Sequence, residues 1–433
     1  MVAVQPFRGL RYNQTKTDAL EHLLAPPYDV VSPDERDKLV ARSPYNIIQI
    51  ELPVGGDDRY RRAADLLAGW RRDAILAHEY APALYVLEER FDVDGVAYRR
   101  LGVLAAVTVE PWSSGAVLPH EHTMPGPKLD RLRLLQATQT NISPIFLTYD
   151  DPTGGIRATL EAVTAQEPVM TVQLDAEAIP HAARESRLWP VTEERLLAKL
   201  LPAFAASQAY IADGHHRYET ALTYRAEQRQ AHAEAPDGPW DAALMFLVPV
   251  DDPGLVVLPI HRVIRNVAAA RLDQLPAGLA HLFVLDVIPS ETPLDSALQR
   301  LHQAGAGAML LAGLPWGLTL AQPRSDLAAA LPADRAASWR SLDVSALHGL
   351  VLEPLLGLGD EEIRSEQHVQ FTRDAAEAVQ SVQNGQAQLA VLLNPTRPEQ
   401  VCAVARDHER MPQKSTFYYP KPLTGFVLYP HDR

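Results

Sequence analysis

The segment Tyr210-Ile-Ala-Asp-Gly-His-His-Arg-Tyr-Glu-Thr-Ala-Leu-Thr-Tyr224 limits the architecture more than any other stretch of the chain. A short apolar run ends at Asp213-Gly214, and the residues after it take up the period of an amphipathic helix, with Ala221 and Leu222 beside the charged Arg225. A strand that hands over to a helix through a glycine is the joint of an α/β fold. Gly214 frees the backbone for a sharp turn, and the first amides of the following helix have no intrahelical partners. Arg217 adds a planar fork of N–H donors, and Glu219 is expected in the first turn. The junction therefore reads as a place to hold phosphate.

Elsewhere strand-like and helix-like segments alternate without internal repeats, so the chain reads as a mixed α/β protein. Residues 45–52 read as a strand and 57–77 as an amphipathic helix. Residues 84–91 and 96–109 form a hairpin around Asp94-Gly95. A polar loop at 119–127 leads to a helix at 128–138 and a strand at 144–149, and 244–250 and 255–264 read as buried strands. Ser32 before Pro33, Asp34 and Glu35 is a helix N-cap. From about residue 268 the texture turns to Ala- and Leu-rich helices, with a strand, helix, strand unit at 370–393. We place a domain boundary near 266, giving an N-terminal α/β domain at 1–265 that carries the candidate site. A second α/β region at 266–433 follows, whose tail is expected to return to that site.

With 433 residues and 47% hydrophobic content the chain can bury one large or two ordinary cores, and no apolar run is long enough to span a bilayer. Cys402 is the lone cysteine, and the N-terminus lacks a basic segment followed by an apolar one; the expectation is a cytoplasmic protein. A formal charge of −14 argues against a nucleic-acid partner, since phosphate backbones need clustered cations. Only six of the 40 basic residues are lysines, and Lys128, Lys414 and Lys421 fall in chemically loaded segments. Self-association stays open.

Two further constellations carry chemistry. In Leu118-Pro-His-Glu-His-Thr-Met-Pro-Gly-Pro-Lys-Leu-Asp-Arg131, the residues His120 and His122 share a face if the stretch is extended, with Glu121 opposite. One reading is electrostatic: Lys128 and Arg131 hold phosphate oxygens while Glu121 acts on a proton. The other is a metal half-site, with His120, His122 and Asp213 as ligands. In Leu24-Ala-Pro-Pro-Tyr-Asp-Val-Val-Ser32, two prolines stiffen a turn from which Tyr28 and Asp29 project, either as structure or as the wall of a site for a small polar ligand that His120 also contacts. The tail segment Met411-Pro-Gln-Lys-Ser-Thr-Phe-Tyr-Tyr-Pro-Lys421 adds Lys414 and Ser415 as candidate phosphate ligands.

These motifs, taken in order with Pro-Phe-Arg-Gly-Leu-Arg-Tyr near the start and Pro259-Ile-His-Arg262, resemble the prokaryotic family catalogued as domain of unknown function 1015. More narrowly, Asp213-Gly-His-His-Arg217 is similar to the phosphate-binding box of the ParB and sulfiredoxin superfamily, whose members bind nucleotides and include free-serine kinases. That resemblance implies a ParB/sulfiredoxin-like core elaborated by the C-terminal region. It also implies a nucleotide, ATP or ADP, held with Mg2+ by Arg217 and the amides after Gly214. His215 or His216 would hydrogen-bond the transferred group, and Asp213 would orient a histidine or hold Mg2+. The sulfiredoxin cysteine and the ParB helix-turn-helix have no counterpart here.

The expected function is a nucleotide-dependent, kinase-like phosphotransferase acting on a small hydroxylated metabolite such as a free amino acid. Two alternatives stand beside it: a metal-assisted phosphohydrolase using His120, His122, Asp213 and His215, and a nucleotide-sensing regulator without turnover.

Overall fold

The computed structural model describes residues 2–175, 179–235 and 237–432. The chain is mixed α/β and divides into two compact units, one made of Met1–Pro119, Thr123–Val256 and Tyr419–Arg433, the other of His120–His122 and Val257–Tyr418. Among the described residues no helix is long and apolar enough to cross a membrane.

In the first unit, β1 (Val4–Gln5), β2 (Leu84–Val93), β3 (Val96–Thr108), β4 (Val117–Leu118), β5 (Ile145–Tyr149), β6 (Met170–Gln173), β7 (Glu185–Val191), β8 (Ala209–Asp213) and β9 (Ala242–Pro249) form one mixed sheet. The strand order is β4-β8-β5-β9-β3-β2-β7-β6, with β1 paired to β3. The hairpin β2–β3 forms as expected, and Asp94 and Gly95 both take positive φ, 50° and 78°, the conformation that a two-residue turn between twisted strands requires. Strand β8 runs parallel to β4 and antiparallel to β5, and its residues Ala209, Tyr210 and Ile211 are buried to the last atom. The core on this sheet includes Val103, Leu147, Ile211, Tyr218 and Leu247.

Helices of the first unit are α1 (Pro33–Arg42), α2 (Arg59–Arg72), α3 (Pro125–Thr138), α4 (Gly155–Thr164), α5 (Glu194–Ala205) and α6 (His215–Ala231). Ser32 caps α1 in a full capping box: its Oγ accepts from Glu35 N at 3.3 Å, and Glu35 Oε2 accepts from Ser32 N at 2.7 Å. Helix α3 packs on both α2 and α6 and begins three residues earlier than expected, because prolines 125 and 127 fit a first turn that needs no N–H donors. Helix α2 ends at Arg72. Ala74 then takes a positive φ, and Leu76–His78 leaves as a strand against Leu10–Tyr12.

The strand expected at 45–52 is instead a helical turn, Ile48–Glu51. Asn46 decides it: Asn46 Oδ1 accepts from Ile48 N at 3.0 Å, while Asn46 Nδ2 donates to the carbonyls of His22 and Leu24. Ile47, Ile48 and Ile50 are all buried, so the run carries no alternation to tell strand from helix.

The second unit holds β10 (His261–Ile264), β11 (Phe283–Val287), β12 (Met309–Leu314), β13 (Gly317–Pro323), β14 (Val369–Thr372) and β15 (Leu389–Leu393), antiparallel in the order β11-β13-β12-β15-β10-β14. The reading of this region as Ala- and Leu-rich helices misses β11, β12 and β13. For β12 the reason is two-sided burial: Met309 and Leu311 join one apolar cluster while Leu310 and Ala312 join another, so the strand reads as an unbroken apolar run. The strand, helix, strand unit at 370–393 forms as expected around Ala375–Gln383. The strand expected at 255–264 breaks at Pro259-Ile260.

Within the first sheet, Glu89 of β2 lies opposite Arg100 of β3, and both side chains are fully buried. They pair at 2.6 Å, and Arg100 also donates to the Pro420 carbonyl at 2.8 Å and lies 4.9 Å from the Phe146 ring centre. Burial pushes the Glu89 carboxyl up, and Arg100 opposes it. Arg100→Met leaves a buried carboxylate without a counter-charge, so we expect a loss of about 3–5 kcal/mol in urea denaturation. A loss below about 1 kcal/mol would show that the pair is dispensable.

Candidate functional site

Gly214 closes β8 and opens α6 in the left-handed region, φ 93°. A Cβ built there would lie 2.9 Å from Arg217 Nε and 3.1 Å from Arg217 Cζ. The guanidinium thus folds back against the bare face of the glycine, one helical turn below it. Arg217 NH2 donates to Asp213 Oδ2 at 2.8 Å and NH1 donates to the Pro144 carbonyl. Arg217 Nε is buried and has no hydrogen-bond acceptor among the described residues. Burial works against the charge of Arg217, yet Asp213, Asp29, Tyr28 and Glu51 hold it above its ordinary value.

Asp213 is shared. Its Oδ1 accepts from Lys421 Nζ at 3.2 Å, and the Lys421 side chain is 4% exposed. A residue from the last segment of the first unit therefore reaches the strand end that Arg217 also grips.

Arg131 forms the second node. Its NH1 donates to the Glu51 carbonyl at 2.7 Å and lies 3.6 Å from Glu51 Oε1; its NH2 pairs with Asp130 at 2.6 Å. Its Cζ sits 4.1 Å from the centre of the Tyr28 ring, a cation on an aromatic face. Ser143 Oγ donates to Glu51 Oε1 at 2.8 Å. Burial raises the Glu51 carboxyl, against the pull of Arg131, Ser143 and Arg217. Burial likewise raises the Tyr28 phenol, with Asp29 adding to it. Glu51, Arg131, Ser143, Arg217 and Thr220 line a pocket of about 50 Å3, with room for a few water-sized groups and none for a nucleoside.

Lys128 makes the third node. Its Nζ pairs with Glu219 Oε2 at 2.8 Å, and Thr123 Oγ1 donates to the same oxygen at 2.6 Å. Glu219 is the fifth residue of α6 and not in its first turn. His216 Nε2 accepts from Met124 N at 2.8 Å, which places the ring proton of the neutral histidine on Nδ1. His215 is buried.

The first unit thus brings together Tyr28, Asp29, Lys128, Arg131, Asp213, Gly214, His215, His216 and Arg217. Glu121, His120, Lys414 and Ser415 form a group of their own in the second unit: Lys414 N donates to Glu121 Oε1 at 3.4 Å, His120 Nε2 lies 3.2 Å from Thr416 Oγ1, and the His120 carbonyl accepts from Met411 N. Ser415 Oγ is turned to the Pro412 carbonyl, and His122 is exposed. Among the described residues, no group of three or more His, Cys, Asp or Glu is arranged to hold a metal ion.

Sequence reasoning passed over Glu51, Ser143 and Lys421 as site residues. Glu51 sits in an isoleucine-rich run whose strand reading gave it no role, and Lys421 is 208 residues from Asp213. The scarcity of lysine was the available signal for Lys421.

The sequence pattern described as protein of unknown function DUF1015 matches residues 4–345, well over half of the chain. The chain belongs to the DUF1015 family. No functionally curated protein matches it. Among solved structures, this DUF1015 protein is similar to a free serine kinase in complex with ADP, at 10% identity and a TM-score of 0.38, over 75% of this chain and 92% of that one. A conserved hypothetical protein from Pyrococcus furiosus follows at 11% identity and 0.34, over 73% and 90%. SbnI from Staphylococcus aureus, truncated at its C-terminus, stands at 12% and 0.31, over 75% and 81%. Likenesses at this level extend to neither substrate nor activity.

The pair at Lys128 has a pH signature. Burial alone would raise the Glu219 carboxyl, but its hydrogen bonds to Lys128 and Thr123 and the nearby His216 hold it below its ordinary value. Its contribution to stability is therefore present above the ordinary carboxylate range and lost as pH falls through the folded value. Glu219→Gln is expected to cost under about 1 kcal/mol at neutral pH, with the difference from the parent shrinking in denaturation curves as pH falls below the ordinary carboxylate range. A difference that stays constant with pH would show that charge plays no part.

Proposed function

We propose that this chain is a nucleotide-dependent phosphotransferase acting on a small hydroxylated metabolite such as a free amino acid. One observation carries the reading: at a left-handed glycine between a buried strand and a 17-residue helix, Arg217 presents a buried Nε–H without an acceptor among the described residues. Unfilled donors of this kind are what a phosphoryl oxygen satisfies, and the helix dipole adds to the attraction. The Asp213-Gly-His-His-Arg217 order is that of a ParB/sulfiredoxin-like phosphate box, and the proposal includes that assignment.

Phosphoryl transfer asks mainly for positioning and for cations on the equatorial oxygens. Arg217 and the amides after Gly214 take the phosphate, Arg131 and Lys128 add charge, and Asp213 and Lys421 fix the fork of Arg217. The phosphoryl group passes from the nucleotide to the acceptor oxygen, and the hydroxyl proton passes to a carboxylate. Within the first unit Glu51 fits that role, since burial raises the proton affinity of its carboxyl. With no metal-holding group among the described residues, Mg2+ belongs to the nucleotide's phosphates in this reading, and the metal-hydrolase alternative draws no support. A nucleotide sensor without turnover keeps one observation in its favour: Arg217, Lys421, Arg131 and Lys128 each already have a carboxylate.

Thermal shift of the full chain with ADP, and with ATP plus Mg2+, tests the proposal. A ligand at a hundred times its dissociation constant stabilises by about 2.7 kcal/mol. Arg217→Lys retains the charge and loses the planar fork, so nucleotide affinity should fall at least tenfold, about 1.4 kcal/mol. Equal affinity in Arg217→Lys would remove Arg217 from the site, and binding without product formation would leave the sensor.

A further inference from the structure

The second unit contains a buried arginine that is treated differently from those of the first. Arg100, Arg131 and Arg217 each pair with a carboxylate. Arg262, on β10 and 4% exposed, has none within ion-pair distance among the described residues. Its guanidinium donates to two backbone carbonyls, that of Ile260 through NH1 and that of Lys414 through NH2 at 3.0 Å, and it lies 5.5 Å from the Phe371 ring centre. Among the described residues these two carbonyls are the acceptors of its five N–H groups. A cation withdrawn from water without a counter-charge is costly, and burial alone brings Arg262 down to about 10. The neighbouring His261 is likewise pushed down to about 4 by burial and by Arg262, although Asp374 pulls the other way.

Arg262 lines a small pocket with His348, Phe371, Pro412 and Gln413, over a floor that includes Leu347 and Val369. The enclosed space is about 20 Å3, enough for one small polar group. His348 lies on a π-helical stretch, Leu347–Leu352, a widened backbone form that recurs at functional sites. Asp360 also lines the pocket, where it is taken up by His348 Nε2 at 3.2 Å and by Arg364 at 3.4 Å. Burial and Arg262 push His348 down, against the pull of Asp360 and Glu353. Two motifs that the proposed function does not use, Pro259-Ile-His-Arg262 and Met411-Pro-Gln-Lys-Ser415, meet here, because Lys414 offers Arg262 its carbonyl and Pro412 and Gln413 form a wall.

We propose that the pocket at Arg262 is a second ligand site, which takes the head of a small monocarboxylate on the guanidinium while the ligand's short apolar part lies against Phe371 and the aliphatic floor. The enclosed space is too small for a nucleotide, so any such ligand enters by its polar head alone. A planar guanidinium fork matches a carboxylate's two oxygens, and the apolar floor distinguishes an organic acid from a hydrated inorganic anion. The site is independent of the phosphotransferase reading, and stands or falls without it.

The test uses the full chain with sodium butyrate as probe, against sodium chloride and sodium phosphate at matched ionic strength, read by thermal shift and by saturation-transfer NMR on the butyrate methyl signal. The expected result is saturable butyrate binding at least tenfold tighter than chloride or phosphate, weakened at least tenfold in Arg262→Met. Should Arg262→Met fail to fold, the NMR arm on the parent decides: saturable transfer to butyrate, not competed by chloride, supports the site. A preference for chloride or phosphate, no saturable transfer, or unchanged butyrate binding in Arg262→Met would overturn it.

Discussion

A carboxylate at the end of a buried strand has to be met by cations, and in the first unit Asp213 is met by two, Arg217 from the next turn of chain and Lys421 from the last segment. The rest of the junction follows from that arrangement. Arg217 can reach back to Asp213 only because Gly214 carries no side chain, since a Cβ would press on the guanidinium. With NH1 and NH2 so engaged, the fork is held rigid and its Nε is left as the unfilled donor. A fixed donor loses little freedom on binding, which is what makes a preorganised site effective.

Around this joint the first unit keeps a close charge balance. Arg131 is matched by Glu51 and Asp130, and Lys128 by Glu219. The cluster therefore does not bind an anion by raw excess of charge. In the proposed reading it would bind through donors already oriented, with an incoming phosphate competing with the carboxylates for the same cations. The second unit follows the opposite rule at Arg262, which has no carboxylate within ion-pair distance among the described residues and which the proposed ligand would neutralise.

Legibility from the sequence followed local chemistry. The Asp213–Arg217 node could be read because its parts lie four residues apart and a glycine marks the turn. The hairpin at Asp94-Gly95 and the cap at Ser32 were legible for the same reason. Glu51 was hidden because the apolar residues around it are buried on all sides, which erases the period that separates strand from helix. Strand β12 was lost to the same effect, its alternate residues joining apolar clusters on both faces. Lys421 was beyond reach of any spacing argument, since only the fold brings it to Asp213.

The most direct measurement of the central claim is an amide NMR titration of the isotopically labelled full chain with inorganic phosphate and with ADP. A phosphate held at the glycine turn must shift the backbone amides of Gly214, His215 and His216 and the Arg217 Nε–H resonance together, with one saturation curve, at concentrations where the amides of α1 and α4 stay still. Saturable binding that leaves those four signals unmoved would contradict the account and place the phosphate elsewhere in the chain.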